Sequence, residues 1–269
     1  MKPIPTLRLA ALLLLTLIAG CAGLPGTQIS QVDSRALELV ARAGSGPVVV
    51  FENGLGGRME WWGKVLQALP SGTAYFVYNR PGLGNSAPAD TPRDGEHIVA
   101  ELRRALLSQG MRPPYVLVGH SLGGLYMQLF ARKHRQEVAA LVLVDSTHPR
   151  QLEGAGAMEN QSLLVRGMAK ALITGVAKDE FDGLTQTGQQ VLSLPTVSDM
   201  PVYVLSAAEP MKETSDLARF SNAMRQDIAR MYPNAKQIWV EGGHAIPLEK
   251  PEAVVDAIRA ALAEVRAVP

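Results

Sequence analysis

The sequence predicts an α/β fold in which helices cover both faces of a mainly parallel sheet. Six short apolar runs, rich in valine, leucine, isoleucine and aromatic residues, alternate with segments of helical pattern. The runs are continuously apolar, as expected for strands that are buried on both faces. Because the chain has 269 residues, of which 47% are hydrophobic, it is long enough to bury one large core. We therefore expect one domain with a small insertion.

Most predicted strands are followed by a predicted helix, which is the order that crossover connections between parallel strands require. The predicted strands are residues 48–51, 75–78, 115–118, 141–144, 202–205 and 238–240. The predicted helices are residues 98–108, 122–133, 217–231 and 251–265. The last helix begins with Pro251, and proline is tolerated in the first turn because its missing N–H has no partner there.

Residues 27–42 precede the first predicted parallel strand and carry a polar break at Asp33 and Ser34. This break is typical of an antiparallel hairpin, which would lie at the edge of the sheet. Residues 36–42 are equally compatible with a helical turn. The sequence leaves both alternatives open.

The alternation of strands and helices stops between about residues 148 and 198. Glycines, methionines and two short amphipathic stretches, residues 162–174 and 187–194, replace the strand signals there. We interpret this segment as a small helical cap that is inserted into a domain of residues 28–269.

The 26 basic residues nearly balance the 25 acidic ones, and no run of five or more basic residues occurs. Such a chain has no stretch that neutralises a row of phosphates, so we expect no nucleic-acid partner. The five histidines lack the spacings of common metal-binding motifs. We therefore expect neither a metal ion nor another cofactor.

Residues 1–20 are predicted to be an export signal. A positively charged start precedes the apolar stretch 9–19, which is shorter than the roughly 20 residues that a membrane-spanning helix needs. Residues 18–21, Ile-Ala-Gly-Cys, resemble a bacterial lipobox. This resemblance implies that cleavage leaves Cys21 as the first residue and that its thiol receives a lipid. An ordinary secretory signal with an incidental Cys21 is the alternative.

With a lipid on Cys21, residues 21–27 would form a short tether between a membrane and the domain that follows. Each buried methylene of the lipid adds about 0.8 kcal/mol to membrane binding, so this anchor needs no spanning helix. By the same resemblance, Ala22 in place of aspartate favours the outer membrane of a bacterial envelope, with the domain facing the periplasm.

The pattern G-x-S-x-G occurs at residues 119–123, between a predicted strand and a predicted helix. In this context the pattern forms a sharp turn that exposes its serine. The turn strains the serine backbone and leaves room only for tiny side chains two residues to either side, as Gly119 and Gly123 provide. The free amides at the helix start favour the negative charge that develops in acyl transfer. Ser121 is therefore the predicted nucleophile.

A serine hydroxyl is a weak nucleophile near neutral pH and needs a neighbouring base. His244 ends the segment Glu-Gly-Gly-His, which follows the last predicted strand and precedes the last predicted helix. Its glycines allow the loop to carry the imidazole back over the sheet edge, so we predict His244 to be the general base. His120, one residue before the nucleophile, is expected to pack or hydrogen-bond locally instead.

The base needs a carboxylate that accepts a hydrogen bond from the imidazole and stabilises the imidazolium. Asp145 directly follows the predicted strand 141–144 and is our preferred candidate. Glu209, in the loop after the next strand, is the alternative acid, and Asp216 is a third candidate. A purely structural role for Asp145, as a cap of the loop that follows it, is also open.

An oxyanion hole needs two backbone amides that point at one oxygen. We expect one donor to be Leu122, directly after the nucleophile, and the other to be Leu55 in the glycine-rich loop 53–57. The residues after this loop fit an acyl pocket and the core equally well: Met59, Trp61 and Trp62.

Together these motifs resemble the α/β-hydrolase superfamily over roughly residues 48–265. Residues 79–86 (NRPGLGNS) are similar to the family's D-R-x-G-x-G-x-S loop, with Asn79 in the place of aspartate. Residues 114–124 and 140–149 are similar to its nucleophile elbow and the strand that follows. The resemblance implies the α/β-hydrolase fold. The position of Asn79 is usually structural, so this departure leaves the implied catalysis intact.

Superfamily members with a serine nucleophile are mostly esterases, lipases and related acyl hydrolases. Its dehalogenases and epoxide hydrolases carry aspartate where Ser121 stands. The resemblance therefore implies an enzyme that cleaves a small-molecule ester through an acyl-enzyme. Amide or thioester hydrolysis, acyl transfer and cofactor-free perhydrolysis on the same triad are alternatives. A lipid-anchored binding protein without turnover is another, and an active-site serine probe distinguishes it from an enzyme.

Overall fold

A computed structural model describes residues 23–208 and 214–267. Its strands are β1 (Gln28–Val32), β2 (Arg35–Arg42), β3 (Ser45–Glu52), β4 (Thr73–Tyr78), β5 (Tyr115–His120), β6 (Val138–Val144), β7 (Val202–Ala207) and β8 (Ala235–Val240). In this part of the chain they form one sheet in the order β1-β2-β4-β3-β5-β6-β7-β8. The pairs β1/β2 and β2/β4 are antiparallel, and all other neighbouring strands are parallel.

The six predicted strands lie within β3 to β8, which confirms the predicted fold class. The open alternative at the amino-terminal edge is settled in favour of the hairpin, because β1 pairs with β2 across a turn at Asp33 and Ser34. Both turn residues have a positive φ, 49° and 63°. The helical turn at residues 36–42 is wrong because β2 also pairs with β4 along residues 39–42.

The helices are α1 (Gly63–Ala68), α2 (Gly95–Ser108), α3 (Leu122–Lys133), α4 (Leu163–Leu172), α5 (Val176–Asp182), α6 (Leu184–Leu192), α7 (Asp216–Arg230), α8 (Ile246–Glu249) and α9 (Pro251–Ala267). The four predicted helices correspond to α2, α3, α7 and α9. Helix α2 begins three residues before its predicted start because Asp94 caps it, accepting a hydrogen bond from the Glu96 amide (3.0 Å).

Apolar cores lie on both faces of the sheet, as the continuous apolar strands predict. In β5, Leu117 faces a cluster that includes Leu125 and Phe130 of α3. Its neighbour Val116 faces a second cluster that includes Ile258 of α9. Adjacent side chains of one strand thus enter different cores. Within residues 23–208 and 214–267, no helix is long and apolar enough to cross a membrane.

The chain between β6 and β7 contains α4, α5 and α6, so the segment predicted to be a cap is largely helical. The two predicted amphipathic stretches overlap α4 and α6, whereas α5 was not predicted. Helix α6 packs on α2 and α3. At Gly188 of α6 the approach is so close that a Cβ atom would lie 1.9 Å from the carbonyl oxygen of Pro149.

The carboxyl ends of the parallel strands lie together at one end of the sheet, which is called the sheet edge from here on. The predicted site residues follow these strand ends. The register pairs Glu52 of β3 with Gly119 of β5, and His120 with Val144 of β6. The residues that follow these strand ends are Asn53, Ser121 and Asp145. Sheets of this kind bind ligands at the carboxyl ends of their strands, so this edge is the candidate site.

Two glycine-to-alanine substitutions test the packing of the segment between β6 and β7. We expect Gly188→Ala to lower the free energy of unfolding by about 1–3 kcal/mol, because its methyl group meets backbone that cannot move freely. Gly167→Ala in α4 is the matched control, since no atom lies within 4 Å of its Cβ position. It should raise the free energy of unfolding by up to about 1 kcal/mol through helix propensity. Urea unfolding measures both, and equal effects would contradict the packing.

Candidate active site

Ser121 lies at the turn from β5 into α3 with a strained backbone, φ 53° and ψ −124°. The turn brings the chain so close to itself that a Cβ atom on Gly119 would lie 2.6 Å from the Gly123 carbonyl oxygen. A Cβ atom on Gly123 would lie 2.4 Å from the carbonyl oxygen of Asn53. The two glycines of the motif are therefore required by space, as the sequence predicts, and the structure brings Ser121 to the edge of the sheet.

Backbone hydrogen bonds hold this turn against the end of β6. The Ser121 amide donates to the carbonyl oxygen of Val144 (3.1 Å). The Ser121 carbonyl accepts from the amides of Gly124 and Thr147 (both 2.9 Å). Because Leu122 is the first residue of α3, its amide belongs to the helix start, where N–H groups lack partners within the helix. It is thus available to an oxyanion next to Ser121.

Asp145 follows β6 and hydrogen-bonds His244: its Oδ2 lies 2.6 Å from His244 Nδ1. Its other oxygen, Oδ1, accepts from the Ala207 amide and from Arg225 Nε, both at 3.0 Å. The backbone of Asp145 has a positive φ of 40°, and its amide donates to the Leu205 carbonyl (2.7 Å). The carboxylate is thus held from β7, from α7 and from the loop after β8.

The Asp145 side chain is 3% exposed, and burial alone would raise its pKa. The hydrogen bond and the charge of His244, followed by the charge of Arg225, outweigh burial and lower the pKa of Asp145 to about 2. The carboxylate is therefore ionised at neutral pH and can only accept hydrogen bonds. It selects the His244 tautomer with a proton on Nδ1, which leaves Nε2 with a free lone pair.

His244 lies in the loop between β8 and α8, with its side chain 30% exposed. Gly242 has a φ of 137°, a conformation that suits glycine, and it lets the loop return towards the sheet. The Gly243 amide donates to Glu249 Oε2 (3.0 Å) and so ties the loop to α8. The sequence-predicted base therefore reaches the sheet edge, where it contacts the sequence-predicted acid.

His120 anchors the backbone of His244, an interaction over 124 residues that the sequence did not predict. Its ring stacks on Trp61, with centroids 5.5 Å apart, and lies 4.7 Å from the His244 ring. Burial, and then the charge of His244, lower the pKa of His120 to about 3. The neutral ring therefore donates its Nε2 proton to the His244 carbonyl oxygen at 2.8 Å. Because the His120 ring is neutral and already hydrogen-bonded, it does not compete with His244 as the base.

The glycine-rich loop after β3 lies directly against the nucleophile. A Cβ atom on Gly54 would lie 3.2 Å from Ser121 Cβ and 3.6 Å from Ser121 Oγ. Leu55 follows at this point, and its amide donates to no acceptor in residues 23–208 and 214–267. The predicted second oxyanion donor therefore belongs to the loop that contacts Ser121 and has no acceptor in the described part of the chain.

Three other predicted residues do not form part of the described site. Asp216 begins α7, its side chain is 84% exposed, and it pairs with Arg219 rather than with His244. Glu209 and Cys21 fall outside the described residues. Among the carboxylates of residues 23–208 and 214–267, Asp145 is the one that hydrogen-bonds the His244 side chain.

The apolar residues after the glycine-rich loop belong to the core: Met59, Trp61 and Trp62. Trp62 packs on Phe51 of β3, with ring centroids 5.0 Å apart.

Arg225 was not predicted as a site residue, because an arginine in an exposed helical pattern does not indicate which carboxylate it contacts. In the described part of the chain, no group of three or more His, Cys, Asp or Glu side chains is arranged to hold a metal ion.

The low pKa of His120 predicts a loss of stability in mild acid. The unfolded histidine takes up a proton below its ordinary pKa of 6.5, whereas the folded one resists protonation down to about 3. Its contribution to the free energy of unfolding is therefore complete above pH 6.5. This contribution falls by about 1.4 kcal/mol per pH unit as the pH drops from 6.5 towards 3. Glutamine in the variant His120→Gln can also donate a hydrogen bond but takes up no proton. Between pH 6.5 and pH 5, we expect the free energy of unfolding of this variant to fall by about 2 kcal/mol less than that of wild type.

Urea unfolding at the two pH values measures this difference. His97→Gln is the control, because the His97 side chain is 43% exposed. A pH dependence of His120→Gln equal to that of wild type would contradict the assignment.

Comparison with known proteins identifies the family of the chain. A model of the alpha/beta hydrolase family matches residues 49–257. The protein YqjL of Bacillus subtilis is 32% identical over 115 residues, 42% of this chain, and the match spans about half (46%) of that relative. An esterase from Thermogutta terrifontis is 19% identical, with a TM-score of 0.60 over 89% of this chain and 98% of its own.

The epoxide hydrolase CorEH is 17% identical, with a TM-score of 0.64 over 89% of this chain and 99% of its own. At such identities, the two structures share the fold and are silent about the reaction. The family model matches residues 49–257, which is most of the chain. The chain therefore belongs to the alpha/beta hydrolase family.

Proposed function

We propose that the protein is a serine hydrolase that cleaves carboxylic esters or related acyl bonds of a small-molecule substrate. The observation that carries this proposal is the 2.6 Å hydrogen bond between Asp145 Oδ2 and His244 Nδ1, at the sheet edge where the strained turn places the half-buried Ser121. A buried carboxylate, an imidazole and a serine at this edge form the set that nucleophilic acyl transfer needs.

In the proposed reaction His244 Nε2 removes the proton of Ser121 as Oγ attacks the ester carbonyl carbon. The carbonyl oxygen becomes an oxyanion, which accepts hydrogen bonds from the amides of Leu122 and Leu55. His244 then gives its proton to the departing alkoxide, and the acyl group stays on Ser121. Water attacks this acyl-enzyme with His244 again as base and releases the acid. Throughout, Asp145 stays ionised and stabilises the imidazolium.

The nucleophile supports acyl transfer over the reaction of the similar epoxide hydrolases. By resemblance, those enzymes use an aspartate where this chain has Ser121. An aspartate attacks through a carboxylate that is already ionised, whereas a serine needs the base that His244 supplies. Asp145 supports His244, so the site is arranged to activate a hydroxyl.

The amino terminus supports a second proposal, that the hydrolase is attached to a bacterial envelope by a lipid on Cys21. The support is the sequence of residues 18–21, since these residues lie outside the described structure. The mass of the mature amino terminus, from protein made in a lipoprotein-processing bacterium, tests it. We expect the mass of a diacylglycerol and an acyl chain on Cys21, and an unmodified cysteine would contradict it.

We predict that wild type reacts with a fluorophosphonate probe and hydrolyses short acyl esters, whereas Ser121→Ala does neither. Asp145→Asn should lower kcat by about 10⁴-fold, because an amide at this position favours the wrong His244 tautomer. Initial rates on esters of increasing acyl length measure both effects. Asp216→Asn is the matched control, since its carboxylate is exposed and pairs with Arg219 rather than with His244.

The same experiment decides the alternatives. Full activity of Asp145→Asn together with loss of activity in Glu209→Gln would transfer the role of the acid to Glu209. A folded wild type that neither reacts with the probe nor hydrolyses any ester would favour a binding protein.

A further inference from the structure

A buried arginine lies beneath the glycine-rich loop, and every one of its N–H groups has an acceptor. Arg80 is fully buried, and its guanidinium carries five N–H donors. Nη1 donates to Glu52 Oε1 (2.7 Å) and to the Asn53 carbonyl (2.8 Å), and Nη2 donates to the Gly54 carbonyl (2.7 Å). The remaining two donors, on Nε and Nη2, go to the two oxygens of Glu180 at 2.7 and 2.9 Å.

Glu180 comes from α5, in the helical segment between β6 and β7, and its side chain is completely buried. Besides its bidentate pair with Arg80, it accepts a hydrogen bond from the Gly56 amide (2.9 Å). One carboxylate of this segment thus contacts both the arginine and the loop next to the nucleophile.

Helix α5 is seated tightly over this loop and over the loop after β4. A Cβ atom on Gly56 would lie 2.9 Å from Ala177 Cβ. A Cβ atom on Gly82 would lie 2.3 Å from Val176 Cγ2. With no space between α5 and the two loops, Glu180 cannot withdraw while the helix stays in place.

The peptide geometry connects Arg80 to the candidate oxyanion donor. The Gly54 carbonyl and the Leu55 amide belong to one planar trans peptide, so their C=O and N–H bonds point in opposite directions. The oxygen of this peptide accepts from Arg80 and from the Gly57 amide (3.0 Å), so the Leu55 N–H is directed away from both donors. The next peptide is held at the Gly56 amide by Glu180. Leu55 is thus fixed on both sides, in a loop that lies against Ser121.

We infer that Glu180 is a positioning residue for the oxyanion hole, acting through Arg80 and the Gly56 amide on the orientation of the Leu55 N–H. This inference rests on the proposed function, since it assigns a part in that reaction to the segment between β6 and β7. The guanidinium also polarises the Gly54–Leu55 peptide and makes its N–H a stronger donor to a developing oxyanion.

Loss of Glu180 would leave two donors of Arg80 and the Gly56 amide without acceptors in a buried environment. Unpaired buried donors are costly, so the guanidinium and the loop would shift towards other acceptors. The Leu55 N–H would then no longer be held in one orientation. Ser121, His244 and Asp145 form no hydrogen bond with Glu180, so we expect the proposed triad to stay in place.

The test compares Glu180→Gln with Asp179→Asn on matched pairs of O-esters and thionoesters. Asp179 is the neighbouring acid of α5 and is exposed, so its variant removes the same charge without touching the loop. Glutamine keeps the size of Glu180 but places an amide donor where Arg80 also donates. Thionoesters report on the oxyanion hole because sulfur is a weak hydrogen-bond acceptor.

We expect Glu180→Gln to lower kcat on the O-ester by about tenfold to a hundredfold, less than the loss of a whole oxyanion donor, with little change in KM. The ratio of kcat on the O-ester to kcat on the thionoester, called the O-ester preference, should fall by a similar factor. Asp179→Asn should match wild type in both. Circular dichroism and active-site titration with the fluorophosphonate restrict the comparison to folded protein. If Glu180→Gln does not fold, Glu180→Asp, which keeps the charge but is one methylene shorter, should show the same smaller preference.

An O-ester preference of the folded variants equal to that of wild type would overturn the inference, whatever happens to kcat. This outcome differs from failure of the proposed function, in which wild type itself would not hydrolyse the O-ester. The comparison therefore separates a misplaced oxyanion hole from an inactive protein.

Discussion

The turn at Ser121 is the constraint from which the arrangement of the site follows. A positive φ of 53° lifts the side chain from the sheet edge and aligns the start of α3 beside it. Because Gly123 has no side chain, the loop after β3 can lie in contact with the turn, and Gly54 of this loop lies next to Ser121. A larger residue at position 123 would push this loop away, and with it the second oxyanion donor.

Charges buried around this turn are stable because each has partners from several elements. Asp145 accepts from β7, from α7 and from the loop of His244, and this environment keeps it ionised despite its burial. Arg80 uses all its donors on β3, the loop after it and α5. Removing one partner of such a buried pair costs about 3–5 kcal/mol, so the networks resist partial opening. The proposed triad and the proposed oxyanion loop are thereby supported by separate networks.

The sequence predicted the sheet and the main helices, and it singled out the residues of the proposed triad, because these depend on local patterns. Apolar runs define strands, and the glycines around Ser121 define the turn. Sequence alone ranked Asp145 above Glu209 but could not decide, because the choice depends on which strand ends lie next to each other. His120 and Glu180 were missed as supports because their partners are about a hundred residues away, at His244 and Arg80. Helix α5 is short and gives little periodic signal.

The most direct test of the account is a crystal structure of the protein after reaction with a phosphonate ester. We predict that the phosphorus is bonded to Ser121 Oγ and that its oxygen lies within hydrogen-bond distance of the Leu55 and Leu122 amides. His244 should remain hydrogen-bonded to Asp145. A phosphonate on another residue, or an oxygen that points away from both amides, would contradict the account.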